Sequence, residues 1–253
     1  MRFLRTSNPA LHQRAFVMSN HGFTATMTIG GTAMKTIFLL GLASLSAGWV
    51  YYQFTDLSIM THSKDIGVYL GIGCIGAFIF SLFTIFKPSW AFFTAPSYAL
   101  LEGLLLGSLS LIVDRQCPGI VAHALPLTFA TLLVMLFLYS SGIIRVTHRF
   151  TMMILVSMGA IGMVYLLSSI LRLFHIQLPY IHESGPIGIL FSVFVVGISA
   201  FSLVLDFDFI HKAEAYGSPK YMEWYGAFSL MLTLVWLYLE ILRLLIKLRG
   251  RRR

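Results

Sequence analysis

The chain has 253 residues, 57% of them hydrophobic and 11% charged, with a mean hydropathy of +0.82. A soluble domain of this size keeps roughly 25% charged residues to cover its surface, so the composition excludes a water-soluble globular protein and leaves room for one membrane domain. The net charge of +8 gathers at the two ends, in Arg2, Arg5, Arg14 and Lys35 and in Lys247, Arg249, Arg251, Arg252 and Arg253, flanking apolar segments without the aromatic interleaving that nucleic acid needs.

Residues 1–34 mix polar, charged and small side chains and read as a cytoplasmic N-terminal segment. No cleavable signal is visible in them, and the first span is expected to act as an uncleaved anchor. Apolar stretches long enough for a ~30 Å hydrocarbon core then recur at 35–54, 66–86, 92–113, 121–144, 150–174, 186–209 and 226–247. Each is expected to be helical, since the bilayer core offers no water to backbone groups. The chain therefore reads as an all-α, seven-helix membrane domain over 35–247 with a basic tail at 248–253.

Two cysteines, Cys74 in a span and Cys117 in a link, encode neither a disulfide framework nor a thiolate metal site. Lys and Arg counts set the orientation. With the N-terminus inside, inner segments hold Arg2, Arg5, Arg14, Lys35, Lys87, Arg145, Arg149, Lys212 and Lys220, against Lys64, Arg115 and Arg172 outside. The tail then falls on the outer face unless the seventh segment stops short of crossing. Eight scattered histidines show no ligand spacing, and His175 and His182 read as solvated loop residues.

Charged residues at bilayer depth cost about 2.5–3.5 kcal/mol on insertion scales and mark pathways or proton sites. Glu102, Asp206, Asp208 and Glu240 qualify. Walking back from Asp206 at helical spacing meets Ser202, Ser199 and Ser192, an interior-type stripe, whereas Asp208 meets Leu205, Val204 and Phe201. Glu240 aligns with Thr233, Ser229 and Gly226, and Arg243 one turn on is a possible counter-charge. Glu102 adjoins Gly103 and Gly107, a close-packing pair. With 217–225 lying along the surface as an aromatic belt and the last helix starting near Gly226, Glu240 is expected level with Asp206 and Glu102.

Arg5-Thr-Ser-Asn-Pro-Ala10, Tyr98-Ala-Leu-Leu-Glu-Gly-Leu104, Leu203-Val-Leu-Asp-Phe-Asp208 and Pro219-Lys-Tyr-Met-Glu-Trp-Tyr-Gly-Ala-Phe228 running into Leu237-Tyr-Leu-Glu-Ile-Leu242 resemble the transmembrane Bax-inhibitor-motif family, in its bacterial YccA-related branch. The resemblance implies seven helices with a central last helix. It also implies a multi-pass protein of the bacterial inner membrane, with embedded acids on helices six and seven that sense pH and control a calcium leak. By position, Glu240 matches the helix-seven acid. Asp206 or Asp208 matches the helix-six acid, and the serine stripe favours Asp206. The family's Asp-Thr-Gln of helix six is Asp206-Phe207-Asp208 here.

The expected mechanism is a coupled pair, Asp206 and Glu240, sharing a proton and weakly binding calcium, on a path lined also by Glu102 and Asp208. Calcium or protons are cargo, the bilayer is the main partner, and no resident cofactor is expected. An intramembrane enzyme is disfavoured: the chain holds no His-Glu-x-x-His motif. No inverted repeat supports a secondary transporter. The remaining alternative is a regulator of a membrane protease or stress-response complex, with residues 1–34 as its handle.

Overall fold

Seven long helices follow one another in a computed structural model of the protein, which describes residues 26–55, 59–174 and 185–251. They are α1 (Ile29–Thr55), α2 (Ile59–Phe86), α3 (Ala91–Gln116), α4 (Ile120–Ser140), α5 (His148–Leu173), α6 (Pro186–Ala215) and α7 (Met222–Gly250), with a 3-10 turn, Pro88–Trp90, between α2 and α3. The shortest, α4, has 21 residues, about 31 Å at 1.5 Å per residue, enough for the hydrocarbon core. All seven are long and apolar enough to cross a membrane. Residues 1–25 of the N-terminal segment and the loop carrying His175 and His182 lie outside the described residues.

Helix ends depart from the sequence expectation where tertiary contacts or turns decide them. α1 begins at Ile29 rather than residue 35 because carboxylates from other helices cap its free N–H groups. α4 stops at Ser140, where Gly142 takes a positive φ of 72° and turns the chain. The largest difference lies in 217–225. These residues do not run along the surface: Gly217, at φ 66°, makes a tight turn and α7 is continuous from Met222. Its 29 residues span about 43 Å, so the seventh segment has the length to cross.

α7 is the most buried of the seven helices. It packs against α6, α1, α4 and α3, with Leu237, Met231 and Ala227 fully enclosed. Tyr98 of α3 meets Phe228 edge to face at 5.0 Å, and the Ser110 and Tyr238 hydroxyls bond at 2.8 Å in the interior. Glycines set the closest approaches. A Cβ on Gly103 would lie 1.9 Å from Ser46 Oγ, and one on Gly107 would lie 2.6 Å from the Ala47 carbonyl, so the α1 and α3 backbones approach each other closely at these glycines. α5 is the least buried helix; Ile154 and Ile161 pack it onto Val195 and Ile198 of α6. The outward surface is apolar, with Phe86, Phe93, Leu133, Val156 and Leu190 among its exposed side chains, as a lipid-facing bundle requires.

Candidate functional site

Asp206 sits on the inner face of α6, toward α7. The Ser229 hydroxyl donates to its Oδ1 at 2.6 Å, and the Thr233 hydroxyl lies beside the same carboxylate. Its Oδ2 is buried with no hydrogen bond. A buried polar atom without a partner costs about 1–3 kcal/mol, and among the described residues Ser168 Oγ of α5 shares that condition with this Asp206 oxygen. The serine stripe behind it is internally satisfied: Ser202 donates to the Ser199 carbonyl at 2.7 Å, and Ser199 to the Val196 carbonyl at 2.9 Å.

Glu240 is 1% exposed and fully engaged elsewhere. Its carboxylate accepts from Arg243 at 2.9 and 3.0 Å, from the Tyr165 hydroxyl of α5 at 3.1 Å to each oxygen, and from Trp236 Nε1 at 3.2 Å. The Arg243 guanidinium also stacks over the Tyr165 ring, 4.7 Å from its centre. One turn further, buried Lys247 donates to Ser192 Oγ at 2.8 Å and to the Gly188 carbonyl at 3.0 Å.

The structure thus does not bring Asp206 and Glu240 together. Asp206 bonds Ser229, and Glu240 lies eleven residues further along the same unbroken helix, about 16 Å in rise. The levelling expected from a helix starting near Gly226 fails because α7 starts at Met222 and runs straight through. A calcium ion shared by the two carboxylates does not fit this spacing: calcium takes 6–8 oxygens at 2.3–2.6 Å. Among the described residues no group of three or more His, Cys, Asp or Glu is placed to hold a metal.

The other acids have distinct settings. Glu102 is buried on α3 with the Tyr98 hydroxyl as its polar neighbour. Asp208 pairs with Lys212 one turn on, at 2.5 Å, near the end of α6. Sequence reasoning passed over Glu223, placed in the aromatic belt, which is 0% exposed. It pairs with Lys35 of α1 and with Lys220 at 2.7 Å, and accepts from the Thr28 amide at 3.0 Å and hydroxyl at 2.9 Å. The one local signal for it is Lys220, three residues before Glu223 at helical spacing.

A family model described as Bax inhibitor 1 like matches residues 8–250. No curated protein and no solved structure matches the chain. The family match covers nearly the whole chain, and the seven apolar helices with a buried last helix accord with it. This multi-pass membrane protein belongs to the Bax inhibitor 1-like family.

Proposed function

We propose that the protein is a pH-sensitive, calcium-permeable leak in a bacterial inner membrane, and that Asp206 acts alone as its titrating gate. The observation that carries this reading is the unpartnered Asp206 Oδ2, buried between α6 and α7. A buried carboxylate oxygen outside the Ser229 bond is where a proton or a passing cation would sit, and its charge state alters the packing of the two helices around it. Glu240 is neutralised by Arg243 and bonded by Tyr165 and Trp236, so it belongs to the framework of this pathway. The protein works as a conduit and not as an enzyme, with lipid, calcium and protons as its partners and no resident cofactor.

Lys35, Lys87, Arg145, Arg149, Lys212 and Lys220 lie toward one face of the bundle and Arg115, Lys247, Arg249 and Arg251 toward the other, and the larger set on the first face supports a cytoplasmic N-terminus. The test of function is calcium uptake into proteoliposomes as a function of pH. Wild type should show pH-dependent uptake and Asp206→Asn a flat response. A variant that keeps the wild-type pH profile would overturn the reading. Deleting residues 1–25 separates it from the regulatory alternative, since a conduit keeps its flux without them.

A further inference from the structure

The amino end of α1 is held by groups from two other helices. The Met27 amide donates to the Ser218 carbonyl at 2.8 Å, the Thr28 amide to Glu223 Oε1 at 3.0 Å, and the Ile29 amide to Glu214 Oε1 at 2.9 Å. The Thr28 hydroxyl donates to Glu223 and accepts from the Gly31 amide at 3.0 Å. Two acids, one at the end of α6 and one at the start of α7, thus satisfy the donors and the positive dipole end of a helix distant in sequence. The fit is close: a Cβ on Gly31 would lie 2.3 Å from Glu223 Oε1, whereas one on Gly30 would meet nothing within 4 Å.

This end is also wedged against the Asp206 site. A Cβ on Gly226 would lie 3.1 Å from Thr32 of α1, 3.2 Å from Ile210 of α6 and 3.4 Å from Met27. Ile210 is one turn after Asp206 on α6, and Ser229, which bonds Asp206, is one turn after Gly226 on α7. We propose that the first turn of α1 is a latch: held by Glu214 and Glu223, it presses α6 and α7 together at Gly226, keeps Ser229 in register with Asp206 and holds that carboxylate closed. Its effect on ion flow rests on the reading of Asp206 as the gate; the mechanical coupling does not.

The experiment uses the full chain in proteoliposomes, comparing wild type, Gly31→Ala and Gly30→Ala. Hydrogen exchange reads the Thr28 and Ile29 amides. Dicyclohexylcarbodiimide, an apolar carboxyl reagent, reads access to Asp206 by mass spectrometry. Gly31→Ala should lose protection at both amides and raise Asp206 modification about fivefold, the scale of losing one helix cap, with Gly30→Ala at the wild-type level. Equal Asp206 modification in the two variants overturns the latch, and so does retained protection at Thr28 and Ile29 in Gly31→Ala. Should Gly31→Ala not fold, Thr28→Val, which removes the hydroxyl bridge and keeps the shape, is read in the same way. Labelling needs no flux: a labelling change in vesicles that pass no calcium refutes the leak and leaves the latch, while pH-dependent flux without a labelling change refutes the latch alone.

Discussion

Asp206 of α6 takes its hydrogen bond from Ser229 of α7, while Glu240, eleven residues further along α7, is bound by Arg243 from its own helix and Tyr165 from α5. The two acids of the last helices therefore belong to separate neighbourhoods, Asp206 with one oxygen unbonded and Glu240 with both oxygens bonded. Each can be changed without touching the other.

Glu240→Gln should leave the pH profile of calcium uptake in place, because the amide keeps an acceptor for Tyr165 and the gate lies elsewhere. Asp206→Asn should flatten it. Uptake measured across pH for both variants distinguishes the two roles. A Glu240→Gln profile as flat as that of Asp206→Asn would restore the coupled pair.

Arg243→Met leaves a buried carboxylate without its counter-charge. Breaking a fully buried pair costs 3–5 kcal/mol, but the Arg243 side chain is 39% exposed, so a loss of about 2 kcal/mol is expected after solvent screening. Adding Glu240→Gln should recover much of it. Chemical denaturation of the single and double variants in detergent gives the coupling directly; additive losses would show that the pair contributes nothing.

Gly103→Ala places a methyl group 2.3 Å from the Ala43 carbonyl and 1.9 Å from Ser46 Oγ. Backbone cannot yield as a side chain can, so a loss of about 1–3 kcal/mol or more is expected from overpacking. Gly159→Ala meets nothing within 4 Å and should be neutral or slightly stabilising through helix propensity. Thermal melts of the two variants test the contrast.

Tyr238→Phe strands the Ser110 hydroxyl in the interior, at a cost of about 1–2 kcal/mol. Ser110→Ala in the same chain should return part of that stability, because no polar atom is then left unpaired. A double variant less stable than Tyr238→Phe alone would show that Ser110 matters for packing rather than for its bond.

Much of this architecture was legible in advance. The run of apolar segments established seven helices because backbone groups in lipid have only one way to be satisfied. The serine stripe behind Asp206 was readable from helical spacing, and so was the Glu240–Arg243 step of three residues. The levels of the acids were not. They depend on whether 217–225 turns or lies flat, and Tyr221, Trp224 and Tyr225 suit both arrangements. What decides is Glu223, drawn inward by Lys35 from 188 residues away, and such a long-range pair leaves no periodic trace. The early start of α1 is hidden from the sequence for the same reason: its caps are carboxylates from other helices, not neighbours in sequence.

The most enclosed helix of the bundle is also the last of the seven to leave the ribosome. Until α7 arrives, Asp206 lacks Ser229, Lys35 lacks Glu223 and Tyr165 lacks Glu240. Six helices must wait in the membrane around a vacant centre, with ionisable groups that each cost a few kcal/mol to leave in lipid. Assembly thus ends with a single keystone step that closes the core, pairs Lys35 with Glu223 and gives Asp206 its hydroxyl donor from Ser229. A nascent chain halted before that step is an unfinished object, with Lys35 lacking its carboxylate and Asp206 its hydroxyl donor.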